Sequence, residues 1–294
     1  MLSDRAEFKS LSRPLETTIQ VGMPQLGLNG LSENWLLKES GHRHWSAICE
    51  RAGVQSHQIV DGQGHRLYAA FVGIEWEGDA LGRVGENDVL HVKTELTRFS
   101  SKRFFSNNVF HAASGASLRV RMVSIFVRKP IFDDNRSISG GSPDPLRRVP
   151  QEESPADATE LLARWKTEKG TPPPDNIHKI AHHSVCPTTE FNGARLLYFA
   201  NFQRILDQAE WRALPQDDMQ FASTERRQLM FYGNVNFEDI LEIRFRDVNW
   251  QGAVRSHVAD VLRAKDRVRL AVMETRKHIA HLEPGWDGSK ITSD

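Results

Sequence analysis

One pattern, met twice, constrains this chain more than any other feature. Pro24 to Gly53 reads PQLGLNGLSENWLLKESGHRHWSAICERAG, and Pro187 to Trp211 reads PTTEFNGARLLYFANFQRILDQAEW. Each segment begins with proline, reaches an Asn-Gly pair (Asn29-Gly30, Asn192-Gly193) and then enters a long amphipathic helical pattern. Trp45, Ile48, Cys49 and Ala52 fall at i, i+3, i+4 and i+7, and Phe199, Phe202, Leu206 and Ala209 keep a similar spacing. Strand patterns follow each helix. In the β-rich run Leu67 to Trp76, residues Tyr68, Ala70, Val72, Ile74 and Trp76 alternate onto one face. Further strands are predicted over 88–99, 103–113 and 117–128, and in the second half over 228–237, 239–248, 254–264 and 267–275. The approach to the second strand also repeats, as Asn87-Asp88-Val89-Leu90 and Glu238-Asp239-Ile240-Leu241. The same elements in the same order predict a structural duplication.

A long helix followed by four antiparallel strands, twice over, predicts two helices each wrapped by a curved sheet. That is an α+β double hot-dog. A single unit leaves a sheet edge open, and pairing with a second copy removes it. The predicted layout is a first half over 15–132, a linker over 133–176, a second half over 177–280 and a mobile tail over 281–294. The linker is rich in Gly and Pro, with a short surface helix after Ser154-Pro155.

Composition narrows the classes. Across 294 residues, 38 Lys plus Arg balance 38 Asp plus Glu, so the chain lacks the net positive field that nucleic-acid binding draws on. No run of eighteen apolar residues is present, and no apolar stretch follows the first basic residues, so neither a membrane span nor a secretory signal is expected. Two cysteines, Cys49 and Cys186, are too few for a disulfide framework, which points to a reduced, cytoplasmic setting.

The familiar nucleophile-elbow, P-loop and dinucleotide signatures are missing. His42 and His44 lie two apart on a predicted helix and cannot share a face, and His182-His183 has no partner at ligand spacing, so no metal site is expected. A dehydratase signature fails at Val120, where a proline would follow His111 and Gly115. For a thioesterase, a carboxylate near the start of the central helix could activate water, and Glu33 and Glu39 qualify by position. Acids also favour the first turn of any helix. Of the tyrosines, Tyr198 reads as core and Tyr232 as core or lining. Tyr68 stands at the rim of a predicted strand, where a side chain can face a cleft.

The run VGMPQLGLNGLSENWLLKESGHRHW from Val21 to Trp45 resembles the helix-entry segment of the leinamycin-pathway bifunctional acyltransferase/decarboxylase family of polyketide biosynthesis. FNGARLLYFANFQRILDQAEW and HRLYAAFVGIEW resemble the same family. The resemblance implies a double hot-dog that decarboxylates methylmalonyl-coenzyme A and loads propionyl onto the phosphopantetheine arm of an acyl carrier protein. It implies no bound cofactor, since coenzyme A enters as the substrate thioester, and it makes Tyr68 the catalytic residue by position. An unperturbed phenol ionises only near pH 10, so such a tyrosine needs a nearby cation or helix amino terminus to attack a thioester. For the enolate formed on decarboxylation, the expected stabilising groups are the amides of Gly30 and Leu31, with Asn29 as cap or carboxylate donor. The alternatives are a thioesterase using Glu33 and a non-catalytic binder of acyl carrier protein. Nucleic acid and membranes are not expected partners, and edge-to-edge pairing into a homodimer is one open outcome.

Overall fold

The computed structural model describes residues 14–78, 81–215 and 219–279. The tail read as mobile lies outside them. Strand β1 (Leu15–Gln20) precedes helix α1 (Glu33–Ala52), which is followed by β2 (Tyr68–Gly78), β3 (Val89–Arg98), β4 (Arg103–Ala112) and β5 (Ser117–Arg128). After the connecting helix α2 (Ala156–Gly170), the order repeats: β6 (Lys179–Ser184), α3 (Phe199–Ala213), β7 (Ala222–Phe231), β8 (Ile240–Gln251), β9 (Val254–Arg263) and β10 (Arg269–Ile279). The long strands form one antiparallel sheet in the order β1-β3-β4-β5-β2-β7-β10-β9-β8-β6. Read from the centre outward, both halves have the same strand order. The expected double hot-dog is present.

The helices begin and end where their chemistry requires. Ser32 caps α1 by accepting a hydrogen bond from the Trp35 amide, and Gly53 closes it in the left-handed region at φ 64°. The two central helices sit against the sheet in one continuous core that holds Leu36, Leu37, Trp76, Phe110, Phe202 and Leu206. The amide of Asn34 ties them together by donating to Ala200 O at 2.7 Å and Gln203 Oε1 at 3.2 Å. Helix α2 is fifteen residues long, and it is more than a surface connection. Its Ala158 and Leu161 bury against Val72, Phe105, Val123 and Met230 on the opposite side of the sheet, and Trp165 Nε1 donates to Phe231 O.

The halves meet through β2 and β7, which pair over only five positions, from Glu77–Arg226 to Gly73–Met230. Glu75 faces Gln228 at the centre of this ladder, and a step of 153 residues (75 to 228) carries β2 onto β7. The same step carries the β2–β5 pair Phe71–Ser124 onto the β7–β10 pair Thr224–Lys277. It also maps the extra residue of β2, Val72, onto that of β7, Glu225.

Two expectations about strands change. The alternation read through Tyr68–Trp76 breaks at Val72: Phe71 packs on His44 and Phe199, while Val72 joins the cluster under α2. The strand read at 228–237 begins six residues earlier, at Ala222. Its polar stretch SerThrGluArgArg hides a buried position, because Arg227 is fully buried and neutralised by ion pairs. Its far end leaves the ladder as a loop in which the Asn234 side chain bonds Leu197 N, Leu197 O and Val235 N.

Candidate active site

The short ladder between the halves determines where an open site can form. Beyond Gly73, residues Tyr68–Val72 continue along β5 but have no partner on β7. A cavity of about 740 Å³ occupies this opening. Its walls include Tyr68–Val72 of β2, Phe231 at the end of β7 with Tyr232–Asn234 after it, Asn192–Ala194 before α3, and Phe199 and Phe202 of α3 itself. The charged lining residues Arg66, Arg136, Lys169 and Arg263 are all cationic, and no Asp or Glu is among the lining side chains. Arg136 and Arg263 are already paired with Asp239 and Asp266, so Arg66 and Lys169 are the cations left to favour an anionic ligand with an apolar portion.

Tyr68 lines this cavity at the first residue of β2, and it is half-buried. The Arg66 guanidinium lies over its ring, 5.3 Å from the centroid. The phenolic hydroxyl makes no hydrogen bond to any described residue, so it is available to a ligand.

The expected anion-stabilising group, Asn29 with Gly30 and Leu31, stands elsewhere. The Asn29 amide donates to Gln220 O at 2.8 Å and Ala222 O at 3.0 Å. Gly30 sits at φ 100°, so close to Leu81 O that a Cβ would collide with it, and Leu31 is buried in the core. None of the three lines the cavity. They close the opposite end of the ladder, where the two-fold places Phe221 in the position of Tyr68. The duplicated pair Asn192-Gly193 takes the place expected for Asn29-Gly30, on the cavity wall with Tyr68. Asn192 Oδ1 accepts from Ala194 N at 3.0 Å and Leu196 N at 3.1 Å, which fixes the loop. Its amide nitrogen has no partner among the described residues. The signal was the Asn-Gly repeat itself; what the pattern lacked was which copy faces the other half's open strand.

Glu33 is also away from the cavity. It is buried, accepting from Trp76 Nε1 at 2.9 Å and from Arg227 Nη2 at 3.0 Å. Arg227 also donates to Asp207 Oδ1 at 2.7 Å, and Lys277 bridges Asp207 to Glu210. Burial raises the Glu33 pKa, opposed by Arg227; at Asp207 burial also pushes upward, but Arg227 and Lys277 overcome it and hold the group down to about 2. The arrangement is a buried charge network between the halves, and Glu33 is on the wall of neither described cavity, where it would have to take a proton from water. Glu39 pairs with Arg43 on the same helix at 2.9 Å.

The two histidines of α1 differ in surroundings. His42 is exposed and lines the cavity. His44 also borders the cavity but is fully buried, with Nδ1 and Nε2 each 2.7 Å from a serine hydroxyl (Ser106 and Ser124), and burial lowers its pKa to about 3. It is a neutral structural group. Among the described residues, no group of His, Cys, Asp and Glu is arranged to hold a metal ion, and no helix is long and apolar enough to cross a membrane.

No protein-family model matches this chain, and no curated protein matches its sequence. Solved structures do match in shape. The 12:0-ACP thioesterase of Umbellularia californica superposes with a TM-score of 0.61 at 8% identity, covering 90% of this chain and 94% of that one. A protein described as an oleoyl thioesterase of Lactobacillus plantarum gives 0.64 at 8% identity, over 91% and 97% of the two chains. An acyl-ACP thioesterase of Bacteroides thetaiotaomicron gives 0.62 at 11%, over 90% and 98%. At such identities the likeness is one of architecture. The chain has the double hot-dog fold, closed along one seam and open at Tyr68.

Proposed function

We propose that this protein acts on acyl thioesters, with the acyl group lodged in the cavity and its carbonyl between Tyr68 and Asn192. One observation carries the reading: an unpartnered phenol and an unpartnered amide line the same cation-rich cavity from opposite halves of the chain. In the finer reading the substrate is methylmalonyl-coenzyme A and the acceptor is a phosphopantetheinylated acyl carrier protein. The resemblance around Val21–Trp45 and Tyr68 supports this choice. So does the lack of carboxylates on the cavity wall, because a substrate carboxylate there meets no like charge.

The chemistry follows from the groups. The Tyr68 oxygen, once deprotonated, attacks the thioester carbonyl; the C–S bond breaks, coenzyme A leaves as its thiol, and an acyl-phenol ester remains. The carrier thiol then attacks that ester and restores the phenol. A phenoxide leaves more readily than an alkoxide, which suits a relay between two thiols. Loss of carbon dioxide from the methylmalonyl group leaves its electron pair on the carbonyl oxygen as an enolate. The Asn192 amide donates to that oxygen, and protonation of the carbon gives the propionyl group.

A second reading is hydrolysis, favoured by the matching structures being described as thioesterases. Glu33 does not supply its base, being ion-paired and off the wall. Water would be activated beside Tyr68, with His42 the available base on the same wall. Incubation with methylmalonyl-coenzyme A, with and without the carrier, separates the two readings. A propionyl adduct on the carrier, seen by intact-protein mass spectrometry, supports transfer with decarboxylation. Free coenzyme A with free acid, formed without carrier, supports hydrolysis. Intact substrate and unmodified carrier together reject both.

A further inference from the structure

A second cavity of about 310 Å³ adjoins the first. The two share Arg66, Tyr68, Gly193 and Ala194, and the second adds Arg128, Lys129 and Arg195. No acid lines it either. Two of its cations already have carboxylate partners: Arg195 is 2.9 Å from Asp133, and Arg128 is 3.8 Å from Asp61. The other two have none. Arg66 is exposed and makes no hydrogen bond or ion pair among the described residues, its one contact being with the face of Tyr68. Lys129 is half-buried, and its ammonium donates to Asn135 Oδ1 at 3.1 Å and to Ala194 O at 3.2 Å. Both acceptors are neutral, the Phe132 ring lies 5.4 Å from the ammonium, and no carboxylate takes its third N–H. Burial and the neighbouring Arg195 lower the Lys129 pKa, while Asp133 offsets them in part. That is the condition of a cation waiting for a counter-ion.

We infer that this second cavity holds the 4′-phosphate of a pantetheine arm, with Arg66 and Lys129 as its ligands. The inference rests on the acyl-thioester reading and extends it by fixing the direction in which the arm enters. A phosphate takes several charge-assisted hydrogen bonds at once, and a guanidinium presents its donors in a fork that fits it. With the phosphate held there, Tyr68 stands at the junction of the two cavities and the acyl group lies in the larger one. The same phosphate occurs in free coenzyme A and in the arm of a carrier protein, so the site serves donor and acceptor in turn.

Calorimetric titration of the full chain with pantetheine, 4′-phosphopantetheine and coenzyme A tests the site. Both phosphorylated compounds should bind at least about tenfold more tightly than pantetheine, the scale of a charge-assisted phosphate contact. Arg66→Gln, at an exposed side chain, should remove most of that advantage and leave pantetheine binding unchanged. Carrier bearing the arm, compared with carrier lacking it, shows in the same variant whether the carrier uses the site too. Equal binding of pantetheine and 4′-phosphopantetheine overturns the site and leaves the thioester reading standing. Tight binding of coenzyme A alone also overturns it, since its adenosine end would then be the part recognised. Failure of all three compounds to bind removes both readings.

Discussion

Tyr68 and Asn192 line one cavity from opposite halves of a duplicated chain, while at the other end of the seam Asn29 donates to the carbonyls of Gln220 and Ala222, which flank Phe221, the counterpart of Tyr68. The two-fold that makes the sheet therefore leaves one functional end. The phenol is present only where the Asn-Gly loop leaves space.

Asn192 offers a test that keeps the fold intact. Its Oδ1 holds the loop, and its amide nitrogen is free. Asn192→Asp retains the acceptor and removes the donor, so the melting temperature should hold while kcat falls by about a hundredfold or more, the usual cost of losing one oxyanion donor. An unchanged kcat would take Asn192 out of the site.

Glu33→Gln separates a structural carboxylate from a catalytic base. The substitution removes one of the two carboxylates that hold Arg227 and leaves it paired with Asp207, which should cost about 1.5–3 kcal/mol of stability, the scale of a lost charge-assisted hydrogen bond. Activity per folded molecule should stay near the wild-type value. Denaturant unfolding read beside kcat on soluble protein checks both, and a stable but inactive variant would revive Glu33 as a base.

Acid should destabilise the protein in a window set by its buried histidines. The folded pKa is lowered to about 3 at His44 and about 4 at His257, against about 6.5 for histidine in the unfolded chain. Above about pH 6.5 neither state takes up the protons. Below it the unfolded state binds protons that the folded state refuses, so stability falls as pH falls, by up to about 1.4 kcal/mol per pH unit for each group. His44→Gln should flatten the slope of unfolding free energy between pH 6.5 and 4. Parallel slopes would contradict the assignment.

How much of this was legible in the sequence follows from what each residue depends on. The duplication, the two central helices and the four strands after each rest on local pattern and emerge as read, whereas the cap of α1 is Ser32 and not Asn29, and the edge strands β1 and β6 were not read at all. Tyr68 stood out through its place after the helix and through a resemblance. The start of β7 was hidden because Arg227, a charge, occupies a core position that only Glu33 and Asp207 make tolerable. The displacement of Val72 was hidden because an extra strand residue leaves no mark in composition. The cavity itself depends on where the β2–β7 ladder stops, a long-range property that no single segment carries.

The cavity floor carries a size test. A Cβ on Gly41 would lie 2.6 Å from Phe199 Cζ, and that ring is packed between Phe71 and Tyr198. Alanine gains up to about 1 kcal/mol in helix propensity and loses about 1–3 kcal/mol to overpacking, so Gly41→Ala should be slightly less stable. Phe199 gives way toward the cavity, and the longest acyl group accepted should shorten. An unchanged chain-length profile over a series of acyl-coenzyme A substrates would show that Phe199 moves elsewhere.

The most direct measurement is the steady-state rate of thiol release from acyl-coenzyme A, with carrier present, in Tyr68→Phe against wild type. The substitution removes one oxygen that bonds to nothing in the protein, so folding and substrate affinity should be preserved. The account requires kcat to fall by at least about a thousandfold, as for loss of a nucleophile. A rate within about twofold of wild type, in a folded variant that still binds substrate, would contradict the assignment of Tyr68.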